Sequence, residues 1–243
     1  MQDLNAYREL ARRYGFEAQP ESVSRLTQLV ARQDCDVDEI ARVIAKDPGL
    51  RARLLRAANP DAESEADYNV DTVEAALMRN GLGCALLLAM GTPLALVLIK
   101  TFRTMLSLKL DSVNPNSIPP LEGVHALGTI GFSGKAAGMV YLRMSPATAR
   151  LIAGGILGLG EEDLGDDTVV DDAVGELLNI ITGNFKSNLC DAGLDCRLEP
   201  PDVRRTEDFS TPCVPGGGVE RMAFQTKGIV LFVDITVNPW GQD

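Results

Sequence analysis

The chain of 243 residues sets 34 acidic side chains against 23 basic ones, a formal net charge of −11, and has a single histidine. That surplus excludes general binding to phosphate backbones without a concentrated basic patch, and the arginines of 1–60 are spread through helical patterns instead. One histidine excludes a multi-histidine metal cage within one chain, and a hydrophobic share of 45% excludes wholesale disorder.

Residues 1–14 carry charges throughout and contain no apolar core of the kind that directs export, so a cytoplasmic location is expected. The five cysteines, Cys35, Cys84, Cys190, Cys196 and Cys213, form no C-x-x-C pair, which fits reduced thiols. Short helices come first. Val23, Leu26, Leu29 and Val30 recur at helical spacing after Pro20. Asp36-x-x-Glu39 makes a capping-box signature ahead of Ile40, Val43 and Ile44, and Asp47-Pro48 reads as an N-cap followed by proline at the first helical position. The helix begun there, with Leu50, Leu54 and Leu55, should stop at Asn59-Pro60. An acidic connector, 61–67, leads to a second capping-box signal, Asp71-x-x-Glu74, and a helix through Leu77 and Met78.

No charge occurs between Gly81 and Ile99, about the length a membrane-spanning helix requires. Gly81, Gly83, Gly91, Thr92 and Pro93, with flanks that give no orientation bias, favour a buried segment broken near Gly91-Thr92-Pro93, with a membrane-tethered chain as the alternative. The period then changes. Leu106, Leu108 and Leu110 alternate, and after the turn-rich 114–120 come strands at 124–132 and 137–144. Ser145-Pro146 opens a helix ended by Gly158 and Gly160; a longer one follows at 169–190, then strands at 194–198, 219–226 and 229–237. His125, in a strand, lacks an acid–nucleophile partner in sequence and reads as structural. The glycines 216–218 read as a loop, since no helix start or Lys-Ser/Thr follows them. Nothing decides whether Trp240 packs or anchors. The whole is α+β, a helical module followed by a domain with a mainly antiparallel sheet and long helices.

On the long helix, Val174, Leu177, Leu178, Ile181 and Phe185 share one stripe at about 100° per residue, while Asp172, Glu176, Asn179 and Gly183 fall on the opposite face. Glu176 and Asn179 lie one turn apart, so a carboxylate and a carboxamide project side by side. Gly183 costs about 1 kcal/mol of helix stability relative to alanine but leaves room for another backbone. On pattern alone, an ordinary solvated helix face would read the same way.

Asp172-x-x-x-Glu176-x-x-Asn179, continuing as Ile180-Ile181-Thr182-Gly183-Asn184, resembles the active-site helix of the CheC/CheX family of chemotaxis phosphatases, whose motif is an acidic or serine residue, three spacers, Glu, two spacers, Asn. Residues 128–144 with 145–157, and 193–201 with 221–237, look like that family's hairpin, following helix and closing strands, so the likeness covers about 100–243. It implies hydrolysis of the aspartyl phosphate of a CheY-type response regulator. Asn179 would hold the attacking water, Glu176 would pair with a regulator lysine, and Asp172, Gly183 and Asn184 would support docking. No cofactor is then expected on this chain, because the Mg2+ of the reaction sits on the regulator. Residues 94–105 lack a second Glu/Asn spacing, so one site per domain, as in CheX, is the better match; a homodimer is implied by resemblance only. Ser24–Val30, Asp38–Leu50 and Leu54–Asn59 resemble the opening of the HDOD signalling domain over about 10–100, without a metal-binding histidine pair. The expected division is 1–95, HDOD-like, and 96–243, CheX-like. A non-catalytic adaptor that docks a regulator through the same helix face is the rival reading.

Overall fold

The structure is a computed structural model and describes residues 19–30, 32, 36–59, 68–80, 82–191, 194–212 and 218–238. The expected N-terminal segment 1–14, the acidic connector 61–67, Cys35, Cys213, Gly216, Gly217 and Trp240 lie outside the described residues.

Among the described residues, five helices come first: α1 (Pro20–Val30), α2 (Val37–Lys46), α3 (Pro48–Ala58), α4 (Val73–Asn80) and α5 (Leu82–Met105). Their punctuation is that of the sequence, with polar side chains taking the amides a helix leaves unpaired. Asp36 accepts from the Asp38 amide at the start of α2. Asp47, fully buried, accepts from the Leu50 amide at 3.0 Å and from the Gln19 amide at 2.6 Å, so one carboxylate caps α3 and anchors the entry to α1. Asn59 closes α3 and, from its buried side chain, accepts from the amides of Asn69 and Val70 while donating to the Leu55 and Val70 carbonyls. At α4 the cap is one residue later than the expected Asp71: Thr72 accepts from the Ala75 amide.

The expected break at Gly91-Thr92-Pro93 is absent, and α5 runs through it for 24 residues. Between 94 and 102 every residue but Lys100 is buried or half-buried, on all sides of the helix, because α5 packs against α1, α3 and α4 and also against α7, β6 and β7 of the following fold. A helix apolar on most sides belongs in such a position, and the packing accounts for the absence of charge over 94–99. The division expected at 95/96 falls inside this helix.

A seven-stranded, wholly antiparallel sheet follows: β1 (Asp111–Val113), β2 (His125–Gly134), β3 (Gly138–Met144), β4 (Cys196–Leu198), β5 (Asp202–Thr206), β6 (Gly218–Thr226) and β7 (Ile229–Val237). Strand order is β1-β6-β7-β3-β2-β4, with β5 also beside β2. Helices α6 (Pro146–Leu157) and α7 (Asp167–Asp191) lie between β3 and β4 in the chain. Ser145 caps α6 and Gly158, at φ +68°, ends it. The alternating Leu106, Leu108 and Leu110 form no strand; the chain there leaves α5 without regular structure before β1.

Register sorts the sheet into two faces, since paired residues of antiparallel strands share a side. Ile130, Val140, Leu142, Met222, Val233 and Ile235 face the helices. The other face carries Leu127, Tyr141, Arg143, Phe232, Asp234 and Arg221. Residues 209–211 cross part of it: Arg143 donates to the Ser210 carbonyl, Arg221 to the Phe209 carbonyl, and both guanidinium groups lie over the Phe209 ring.

Candidate functional site

The long helix α7 is fixed along one side and free along the other. Asp166 caps it, accepting from the Thr168 amide at 3.0 Å, and Asp167 places negative charge in the first turn, where the helix dipole favours it. One turn on, Asp171 accepts from Arg205 at 2.6 Å, and Arg150 reaches Asp167 at 3.6 Å. Arg205 stands on the helix-facing side of β5, so this pair ties the helix to the sheet. Below it Gly175 meets Val203 and Pro201, and Val174 and Leu178 close on Gly128 of β2, where a Cβ would lie 3.2 Å from Leu178 Cδ2. Val174, Leu177, Leu178, Ile181 and Phe185 are all buried, as the stripe requires, and Phe185 stands edge-on to Phe132.

On the opposite face Asp172, Glu176, Asn179 and Asn184 are exposed and Gly183 is half-buried, with nothing within 4 Å of where its Cβ would be. No described residue engages the Glu176 or Asn179 side chain, so the carboxylate and the carboxamide, three positions apart, point outward without internal partners. Asn184 differs: its Nδ2 donates to the Ile180 carbonyl at 3.0 Å, turning the amide back onto its own helix. Behind the pair, the buried Thr182 hydroxyl donates to the Leu178 carbonyl at 2.7 Å and more weakly to that of Asn179 at 3.4 Å. Arg205, Asp171 and Thr182 were not among the expected site residues. The only sequence signal for Arg205 was its place in β5, which no apolar alternation announces.

Chemically, the arrangement offers an uncharged group able to donate to and accept from water beside an anionic group able to meet a cation. Among the described residues no cluster of three or more His, Cys, Asp or Glu could hold a metal ion. His125 is buried on β2 with Nδ1 near the Gly123 carbonyl and its ring edge-on to Phe209, away from α7. Cys190 and Cys196 are free thiols, and burial pushes the Cys196 thiol up from its ordinary value.

An antiparallel sheet backed by a long helix, with a carboxylate and a carboxamide exposed on that helix, makes this part of the chain an α+β domain. Residues 126–223 match the family of the chemotaxis phosphatase CheX, and residues 17–112 match the HDOD domain. No curated protein matches the chain. Among solved structures, the chemotaxis protein CheX of Vibrio vulnificus is 26% identical, with 60% of this chain and 94% of that one covered and a TM-score of 0.52. A CheC-like superfamily protein of Shewanella sp. PV-4 is 23% identical, covering 62% of this chain and 97% of that one with a TM-score of 0.53. A chain of the CheX-CheY-BeF3-Mg2+ complex from Borrelia burgdorferi is 21% identical, with 62% of this chain and 98% of that one covered and a TM-score of 0.51. The chain is therefore CheX-like in fold over its sheet domain and HDOD-like over its first helices.

Proposed function

We propose that this protein is a phosphatase of phosphorylated CheY-type response regulators, acting in the cytoplasm through Glu176 and Asn179. In the step, a water oxygen attacks phosphorus, the bond from phosphorus to the regulator's aspartyl oxygen breaks, and a free aspartate and inorganic phosphate result. An acyl phosphate is already reactive, so catalysis can consist of placing that water in line and steadying spread charge. Asn179 accepts a hydrogen bond from the water and donates another, holding the oxygen without altering its charge. Glu176, one turn away, meets a lysine of the regulator and fixes the docking register. Asp172, Gly183 and Asn184 border the contact. The Mg2+ of the reaction would be held by the regulator and would supply charge neutralisation at the phosphoryl group.

The observation that carries the proposal is the free pair itself, exposed and unengaged on a helix whose other side is locked to the sheet. The similarity to a protein solved as a CheX-CheY complex supports the choice of partner. The test is phosphate release from a regulator charged with a small phosphodonor. The wild-type chain should accelerate it, and Asn179→Ala should lose on the order of a hundredfold of that gain. Equal rates with the wild type and with Glu176→Ala/Asn179→Ala would overturn the proposal, and binding without acceleration would assign the adaptor role instead. Pairing into homodimers is part of the same reading and is checked by sedimentation.

A further inference from the structure

Three parts come together where the helical module touches β6. Arg53, on α3, grips Glu220, on β6, with Nε at 3.0 Å and Nη2 at 2.6 and 2.7 Å from the two carboxylate oxygens, across 167 positions of sequence. The two side chains are only 14% and 19% exposed, so solvent screens the pair weakly. Glu220 belongs to the helix-facing side of the sheet, opposite Ile235 in register. Gly91 of α5 opens the space: a Cβ there would collide with the Glu220 carboxylate and lie 2.9 Å from Arg53 Nη2.

The same α5 rests on α7. Its contacts to α1, α3 and α4 and its contacts to α7, β6 and β7 are made by one continuous rod, buried or half-buried over 94–102 except at Lys100, so a rearrangement of the module against α5 is felt at the seat of α7. Small shifts of packed helices are the usual way in which such a seat passes from one arrangement to another.

We infer that the helical module is an input domain for the α7 site, coupled to it through α5, with the Arg53–Glu220 pair over Gly91 as the latch. This rests on the reading of α7 as the site of dephosphorylation, and it assigns that site's regulation. What the module senses acts by biasing the latch, and α7 reports the result as a change in the steadiness of the Glu176–Asn179 face.

Amide hydrogen exchange of the full chain tests the coupling without reference to activity. Arg53→Met and Glu220→Gln, singly and together, are compared with the wild type over residues 94–105, 174–185 and the β2–β3 hairpin. Each single change should speed exchange in the first two segments about fivefold while leaving the hairpin unchanged, and the double variant should be no faster than the faster single, because both remove one interaction. Gly91→Ala, which keeps both charges and displaces the carboxylate, should give the same pattern and serves where a charge deletion unfolds the chain. Unchanged exchange in 174–185, acceleration of the hairpin to the same degree, or additive effects of the two changes would each overturn the latch. Failure of the wild type to release phosphate from a regulator would instead remove the phosphatase reading and leave these exchange results standing.

Discussion

Asp234 holds two arginines at once. It is fully buried on β7, accepts from Arg143 at 2.5 Å and from Arg221 at 2.7 and 2.8 Å, and is also bonded by the Thr211 hydroxyl. Burial pushes the Arg143 guanidinium below its ordinary value and Asp234 opposes that shift, so the carboxylate is what keeps the buried cation tolerable. Removing one partner of such a cluster is far worse than never having built it. Asp234→Ala should therefore cost about 3–5 kcal/mol, measured as a lower urea midpoint with an unchanged slope. Asn179→Ala is the contrast. Its side chain is exposed and unengaged, so the same measurement should move by less than about 0.5 kcal/mol while phosphate release falls. The pair of results separates a residue that holds the sheet from one that performs the proposed chemistry.

Among the elements, α7 is the one whose two faces answer to different demands. Gly183 lies on the free face with open space around it, where glycine costs stability and nothing inside the molecule requires it. Gly183→Ala should raise stability by about 1 kcal/mol in thermal or urea unfolding. Gly183→Leu should weaken capture of a phosphorylated regulator at that face, because the partner's backbone could no longer approach. These faces were legible in the amino-acid sequence because helical period survives wherever one side is packed and the other wet; Asp172, Glu176 and Asn179 stand exposed where the period put them. Strand β7 and the β2–β3 hairpin were legible for a related reason, as their branched and aromatic residues are central in the sheet. Strand β5 was not. Its inward positions are Val203 and Arg205, and a charge that faces inward to meet Asp171 erases the alternation by which a strand is recognised. The leucines at 106, 108 and 110 mislead in the opposite sense, since alternation without a neighbouring strand leaves irregular chain. Continuity of α5 through Pro93 was equally out of reach: a proline interior to a helix costs about 3 kcal/mol, and only the packing around α5, made of residues distant in sequence, outweighs it.

At the scale of the molecule, the two likenesses overlap in space although they are successive in the chain. The HDOD match runs to 112, past the end of α5, and α5 also backs α7, β6 and β7, so one helix completes the module before it and the domain after it. A chain joined by a linker unfolds as two bodies; a chain joined by a shared helix that supplies core residues to both sides has no state in which one body is intact and the other has lost its wall. Leu98 and Phe102 sit in that wall, at 1% and 0% exposure. Calorimetry should accordingly show a single transition with equal calorimetric and van't Hoff enthalpies. Leu98→Ala, by opening a cavity worth about 2–5 kcal/mol, should lower that one transition as a whole rather than split it. Two resolved transitions in the wild type, or a Leu98→Ala shift confined to one of them, would mean that the helical module and the sheet domain are separable bodies and that α5 belongs to only one of them.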